Sequence, residues 1–231
     1  MNTHARTRFF PSLFAALTMW TASAAMAGPE RVLIIGDSMM QIPAHAIKLA
    51  LKKQGGVEAK AHTSIGSGLA RLDAYDWMGK VDELAGEFKP EATLVWFGTN
   101  DRQPMRTDTG VVQLDAPEWR EEYARRVGEV MDKLTAAKGA EVYWFEVPVM
   151  RDEEMNREVA VINDIVKAEA EKRDAVTYFP TSHILTRKEG QFAPYLIGPT
   201  GRPIKVREPD GVHLSRPGAD LVAEAVVKEL Y

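Results

Sequence analysis

Arg31-Val32-Leu33-Ile34-Ile35-Gly36-Asp37-Ser38-Met39 is the stretch that decides the fold. Four consecutive apolar residues, mostly β-branched and closed by Gly36, fit a short strand buried on both faces, as parallel sheets require. Downstream, a helix is expected over 43–53, where Ile47 and Leu51 lie one turn apart and Gly55-Gly56 stops the run. A second strand is expected at 57–62. A helix over 73–88 carries Trp77, Val81, Leu84, Ala85 and Phe88 on one stripe. Ala92-Thr93-Leu94-Val95-Trp96-Phe97-Gly98 is the clearest strand of all. A helix over 117–138 places Trp119, Tyr123, Val127, Val130, Met131 and Leu134 on one face. A strand at 141–147, a helix at 152–172 and a strand at 175–179 follow. Segment 186–207, punctuated by Gly190, Pro194, Gly198, Pro199, Gly201 and Pro203, reads as a loop or irregular hairpin. Ser215 is a good cap for a last helix running to Leu230, with Pro217 in its first turn.

Repeated strand–helix units imply right-handed crossovers and a parallel sheet covered by helices, an α/β fold. Ligands of such folds bind beyond the carboxyl ends of the strands. No internal repeat or interdomain linker interrupts residues 28–231, which are expected to form one domain.

Residues 1–27 read differently. Arg6 and Arg8 precede an apolar stretch from Phe9 to Trp20, and small residues lead to Ala25-Met26-Ala27. This is the layout of a secretory signal peptide cleaved after Ala27. The apolar run is shorter than the roughly 20 residues that span a bilayer, and Pro11 interrupts it. Loss of two arginines and no acid takes the formal charge from −4 to −6. A mildly acidic chain without a Lys/Arg tract suits neither nucleic acid nor an anionic membrane surface. The sequence holds no cysteine, which excludes disulfides, thiolate nucleophiles and Cys-based metal sites. Export without cysteine points to a bacterial periplasm or a secreted product. His45, His62 and His183 share no metal-ligand spacing.

Polar clusters stand where chemistry is expected. Gly36-Asp37-Ser38-Met39 follows the first strand, Ser64-Ile65-Gly66-Ser67-Gly68-Leu69 the second, and Gly98-Thr99-Asn100-Asp101 the third; Asp210-Gly211-Val212-His213-Leu214 precedes the last helix. A serine where a buried strand turns into a helix projects its hydroxyl from the sheet edge, but needs a base to become a nucleophile. His213 is the natural base. Asp210, three residues earlier, can orient the imidazole. Asp37 reads as a hydrogen-bonding neighbour and Asp101 as a support for the Asn100 loop. The serine does not lie in a Gly-x-Ser-x-Gly elbow, which argues against the α/β-hydrolase fold.

In order and approximate spacing, the four clusters resemble the signature blocks of the SGNH (GDSL-like) hydrolase superfamily, and the resemblance covers the whole of 28–231. Asp76-Trp77 and Arg207 are features similar to a poorly characterised, envelope-associated bacterial branch. The resemblance implies a three-layer α/β/α flavodoxin-like fold and metal-independent, cofactor-free ester chemistry. It also implies an oxyanion hole made by the backbone N–H groups of Ser38 and Gly68 and the Asn100 side chain. Gly66 is the alternative to Gly68, which fits the block better.

Arg102, Arg151 and Arg207 lie near the same sheet edge. They are either solvated or structural charges, or ligands for a carboxylate on the acyl group or glycan, with Arg102 and Arg207 the named candidates. Trp77 and Trp119 read as core residues, with sugar stacking the alternative. The leading expectation is an exported serine esterase acting on acetyl or succinyl-type esters of an envelope polysaccharide or a related small ester. An O-acyltransferase using the same acyl-enzyme is the second reading. A catalytically silent glycan-binding protein is the third.

Overall fold

Alternate side chains of β1 (Arg31–Gly36) enter two different cores. Val32 and Ile34 point to one face, Leu33 and Ile35 to the other, and all four are fully buried. Burial of this kind stabilises by about 1.5–3 kcal/mol per side chain before ordering entropy is subtracted. The structure, a computed structural model, describes residues 28–114, 116–188 and 190–231; the expected signal peptide lies outside them.

After β1 come α1 (Ser38–Gln54), β2 (Glu58–Thr63), α2 (Trp77–Phe88) and β3 (Ala92–Trp96). A small hairpin of β4 (Met105–Thr107) and β5 (Gly110–Val112) precedes α3 (Pro117–Leu134) and β6 (Glu141–Phe145). Next are α4 (Glu153–Ala170), β7 (Val176–Phe179) and the single turn α5 (Ser182–Leu185). A second hairpin, β8 (Tyr195–Ile197) with β9 (Pro203–Lys205), leads to α6 (Arg216–Leu230). The central sheet has the order β2-β1-β3-β6-β7 with every neighbour parallel. This is the flavodoxin-like order, whose topological switch point lies between β1 and β3. Helices α1 and α6 cover one face; α2, α3 and most of α4 cover the other. The expected three-layer α/β/α architecture is the one observed.

Helix α1 begins at Ser38, five residues before the expected start. Asp37 is the cause: its carboxylate accepts from Met39 N–H at 2.7 Å and its carbonyl from Met40 N–H at 3.2 Å, capping a helix the moment the strand ends. Pro43 therefore sits inside the helix, bringing no N–H for the Met39 carbonyl. Helix α2 starts at Trp77 rather than 73 because the Asp76 carboxylate caps it through Gly79 N–H. The three-residue strands β4 and β5 and the turn α5 are additions to the sequence reading. Segment 186–207 holds the β8–β9 hairpin. Trp77 and Trp119 are fully buried, so both belong to the core and neither can stack on a sugar.

Gly36 makes the strand-to-helix turn possible. A Cβ there would overlap the Trp96 carbonyl and Met40, while Asp37 N–H donates to that same carbonyl at 3.1 Å. Gly36→Ala is expected to lower the urea midpoint by the equivalent of about 1–3 kcal/mol, the cost of overpacking. An unchanged midpoint would show that the turn yields.

Candidate active site

Three distant stretches of chain meet at the switch point. Ser38, the first residue of α1, lies with its Oγ 2.8 Å from His213 Nε2, across 175 positions of sequence. His213 Nδ1 stands 2.7 Å from Asp210 Oδ2. Because a carboxylate accepts, Nδ1 carries the proton and Nε2 is left to accept from the serine hydroxyl. Asp210 Oδ1 in turn accepts from the backbone N–H of Val212 at 2.8 Å and of His213 at 3.0 Å. Burial alone would raise the Asp210 pKa, but the imidazole bond and the two backbone donors outweigh it and hold the carboxyl below its ordinary value. The pair is half open to solvent, with 35% of the His213 side chain and 47% of that of Asp210 exposed. Just after His213, Ser215 anchors the start of α6, capping the helix and donating to the Lys205 carbonyl at 2.6 Å.

The loop 64–70 and the end of β3 form the opposite wall. Its two glycines do different work. Gly66 is exposed at φ +72° in a turn closed by Ser67 N–H to the Ser64 carbonyl. Gly68 is buried, and a Cβ there would overlap the Asp101 carboxylate. That close approach is why position 68 admits no Cβ, as the positive φ is why position 66 favours glycine. Neither Ser38 N–H nor Gly68 N–H has a hydrogen-bond partner among the described residues. Asn100 Nδ2 donates to the Ser67 carbonyl at 3.0 Å and, more weakly, to Asp37 Oδ2 at 3.3 Å. The long contact is the one an incoming anion would replace.

Two buried carboxylates hold this wall. Asp101 Oδ1 accepts from Ala70 N–H at 2.7 Å and Oδ2 from Tyr123 Oη–H at 2.8 Å, so it braces the Gly68 loop as well as its own. Burial raises its pKa to about 6. Burial also raises Asp37 to about 7, and the nearby Asp101 charge adds to the shift. The sequence reading missed three supports. Trp77 Nε1–H donates to Ser67 Oγ at 2.8 Å. Tyr123 meets Asp101, and Arg126 donates to the carbonyls of Leu69, Ala70 and Arg106. The available signal was an arginine in the apolar stripe of α3, next to Val127.

The candidate anion ligands are otherwise engaged. Arg102 pairs with Glu158 and donates to the Thr99 carbonyl. Arg151 reaches the Pro209 carbonyl at 2.6 Å. Arg207, 1% exposed, donates to the carbonyls of Val149, Gly211 and Val212, which fits the structural one of its two readings and leaves its guanidinium turned away from a ligand. Burial lowers its pKa to about 10, opposed by Asp210, so it remains a cation at neutral pH. His45 is exposed, and His62 Nε2 faces Tyr75 Oη at 2.6 Å. Among the described residues, no cluster of three His, Asp or Glu side chains is arranged to hold a metal ion, and no helix is long and apolar enough to cross a membrane.

The family model described as Protein of unknown function (DUF459) matches residues 31–229. The chain belongs to the DUF459 family. Among curated proteins, none matches it. Solved structures share its fold at low identity. A protein from Slackia heliotrinireducens assigned to the SGNH hydrolases is 17% identical, with a TM-score of 0.55 over 86% of this chain and 97% of its own. An acetyl esterase variant with acetate ion is 11% identical, at 0.58 over 87% and 95%. The C-terminal catalytic domain of peptidoglycan O-acetyltransferase A from Streptococcus pneumoniae, carrying a methylsulfonyl adduct, is 17% identical, at 0.52 over 87% and 92%. This DUF459 chain thus has the SGNH hydrolase fold, and the resemblance of its four clusters is matched by the architecture.

A raised carboxyl pKa means that the folded state holds its proton more tightly than the unfolded chain does. The stabilising contribution of Asp37 is therefore complete below about pH 4 and lost as pH rises through about 7. Asp37→Asn, which keeps a capping oxygen, is expected to lessen the fall of the thermal midpoint between those limits, leaving the part that Asp101 contributes. A wild-type midpoint that rises steadily from pH 4 to 7, unaltered by the substitution, would contradict this.

Proposed function

We propose that this DUF459 protein is an exported serine esterase that cleaves acyl esters through an acyl-enzyme on Ser38. The observation that carries the reading is the continuous hydrogen-bonded chain from Ser38 Oγ through His213 to Asp210 at the switch point. In this mechanism His213 Nε2 takes the hydroxyl proton as Ser38 Oγ attacks the ester carbonyl. Negative charge builds on the carbonyl oxygen, toward which Ser38 N–H, Gly68 N–H and Asn100 Nδ2–H are available as donors. The leaving alcohol takes the proton from His213. Water, deprotonated by the same imidazole, then frees the acid and Ser38. Ionised Asp210 stabilises the imidazolium that forms at each step.

The exposure of His213 and Asp210 supports a small acyl group on a bulky carrier, because an open triad admits a chain that a closed pocket would refuse. A carbohydrate ester of the cell envelope fits this and the secretory reading of 1–27. The same openness favours transfer to a sugar hydroxyl as the second reading, since an acceptor can reach the acyl-enzyme in place of water. The hydrogen-bonding register of Ser38, His213 and Asp210 favours catalysis over the silent glycan-binding reading.

A panel of acetyl and succinyl esters, assayed with and without sugar acceptors, tests the proposal. Ser38→Ala is expected to lower kcat by on the order of 10⁴–10⁶, and Asn100→Ala by about 10²–10³. Acyl transfer to the sugar at the expense of free acid would mark a transferase. Full hydrolysis by Ser38→Ala would remove the acyl-enzyme from the reaction.

A further inference from the structure

Arg207 stands between β9 and the loop that carries Asp210 and His213, and its environment is unusual for an arginine. It is almost wholly buried, yet none of its contacts is to a carboxylate. Nη1–H donates to the Val149 carbonyl at 2.9 Å. Nη2–H donates to the Val212 carbonyl at 2.9 Å, and lies 3.3 Å from the Gly211 carbonyl and 3.4 Å from Met150 Sδ. Nε has no partner among the described residues. The backbones of Arg207 and Leu214 form an isolated bridge, and Glu208 N–H donates to the His213 carbonyl at 2.8 Å.

A second arginine grips the same loop from outside. Arg151 N–H donates to the Gly211 carbonyl at 3.3 Å and its Nη1–H to the Pro209 carbonyl at 2.6 Å. The Phe192 ring is shared by the two guanidiniums, each 5.0 Å from its centroid. The carbonyls of Pro209, Gly211 and Val212 are thereby tied to the segment after β6 and to the 186–207 stretch.

A buried cation with no carboxylate in contact is costly to desolvate, and only the carbonyls it pairs offset that cost. What the guanidinium offers is geometry: one rigid plane reaches the Val149 carbonyl on one loop and the Val212 carbonyl on the other, which a point ammonium cannot do. We propose that Arg207 is a positioning residue, its buried guanidinium fixing the backbone of 210–213 so that His213 meets both Asp210 and Ser38. Arg151 and Phe192 complete the clamp. The inference rests on the esterase reading for its kinetic consequence but not for its structural one.

Arg207→Lys and Arg207→Met are compared with wild type by circular dichroism, by kcat and KM on an acetyl ester, and by the downfield proton resonance of His213 Nδ1–H, assigned by its loss in His213→Gln. In folded variants kcat is expected to fall about 10²-fold with KM little changed, and the resonance to vanish or shift. Lysine, though it keeps the charge, is expected not to rescue. An unshifted resonance with wild-type kcat in folded Arg207→Lys overturns the proposal, as does a loss expressed through KM alone. If the arginine variants do not fold, Phe192→Leu carries the test: a shifted resonance supports the clamp and an unshifted one overturns it. A wild type without ester hydrolysis would fail the functional reading, while the resonance would still decide the role of Arg207.

Discussion

The chain has to leave β1 and enter a helix within two residues, and the geometry of the candidate site depends on that constraint. Gly36 lies against the Trp96 carbonyl, which also receives Asp37 N–H. The Asp37 carboxylate closes the first turn of α1 on Met39 N–H. With no residue to spare, Ser38 falls on the rim of the sheet at a helix N-terminus, where its N–H has no partner within the helix. Asp37 thus stabilises the turn and accepts from Asn100, which follows the adjacent strand β3, joining the element of Ser38 to the opposite wall.

Around that turn the protein places rigid polar supports in apolar surroundings. Asp101 and Tyr123 brace the Gly68 loop, Arg126 clasps its carbonyls from the same helix as Tyr123, and Trp77 ties Ser67 from another. On the far side Arg207 and Arg151 hold the loop of Asp210 and His213. Hydrogen bonds of this kind are worth most where water is excluded and are costly to leave half made. His213 and Asp210 are comparatively open, while the groups that hold their loop and the opposite wall are buried.

Much of this was legible in the sequence, for physical reasons. Runs such as Val32 to Ile35 and Leu94 to Phe97 admit few structures other than strands covered on both faces, and their order gives the parallel sheet. Ser38, Asn100, Asp210 and His213 could be picked out because chemistry in such a sheet lies at strand ends. The start of α1 was hidden because Pro43 is a stronger local signal than a cap at Asp37. The different settings of Gly66 and Gly68 were hidden because Asp101, 33 positions beyond Gly68, lies against it only in three dimensions. Arg207 stayed open between a structural charge and a ligand, because nothing local tells that its guanidinium faces inward onto carbonyls. The three-residue strands of the hairpins are too short to show a period.

The central claim is that Ser38 Oγ, His213 and the donors of the opposite wall converge on one reacting atom. A crystal structure of the protein after reaction with a fluorophosphonate addresses it directly. Phosphorus is expected to be bonded to Ser38 Oγ, its non-bridging oxygen within hydrogen-bonding distance of Gly68 N and Asn100 Nδ2, and His213 retained beside Asp210. A fully reacted crystal with the adduct on another residue, or with that oxygen turned away from both donors, would contradict it.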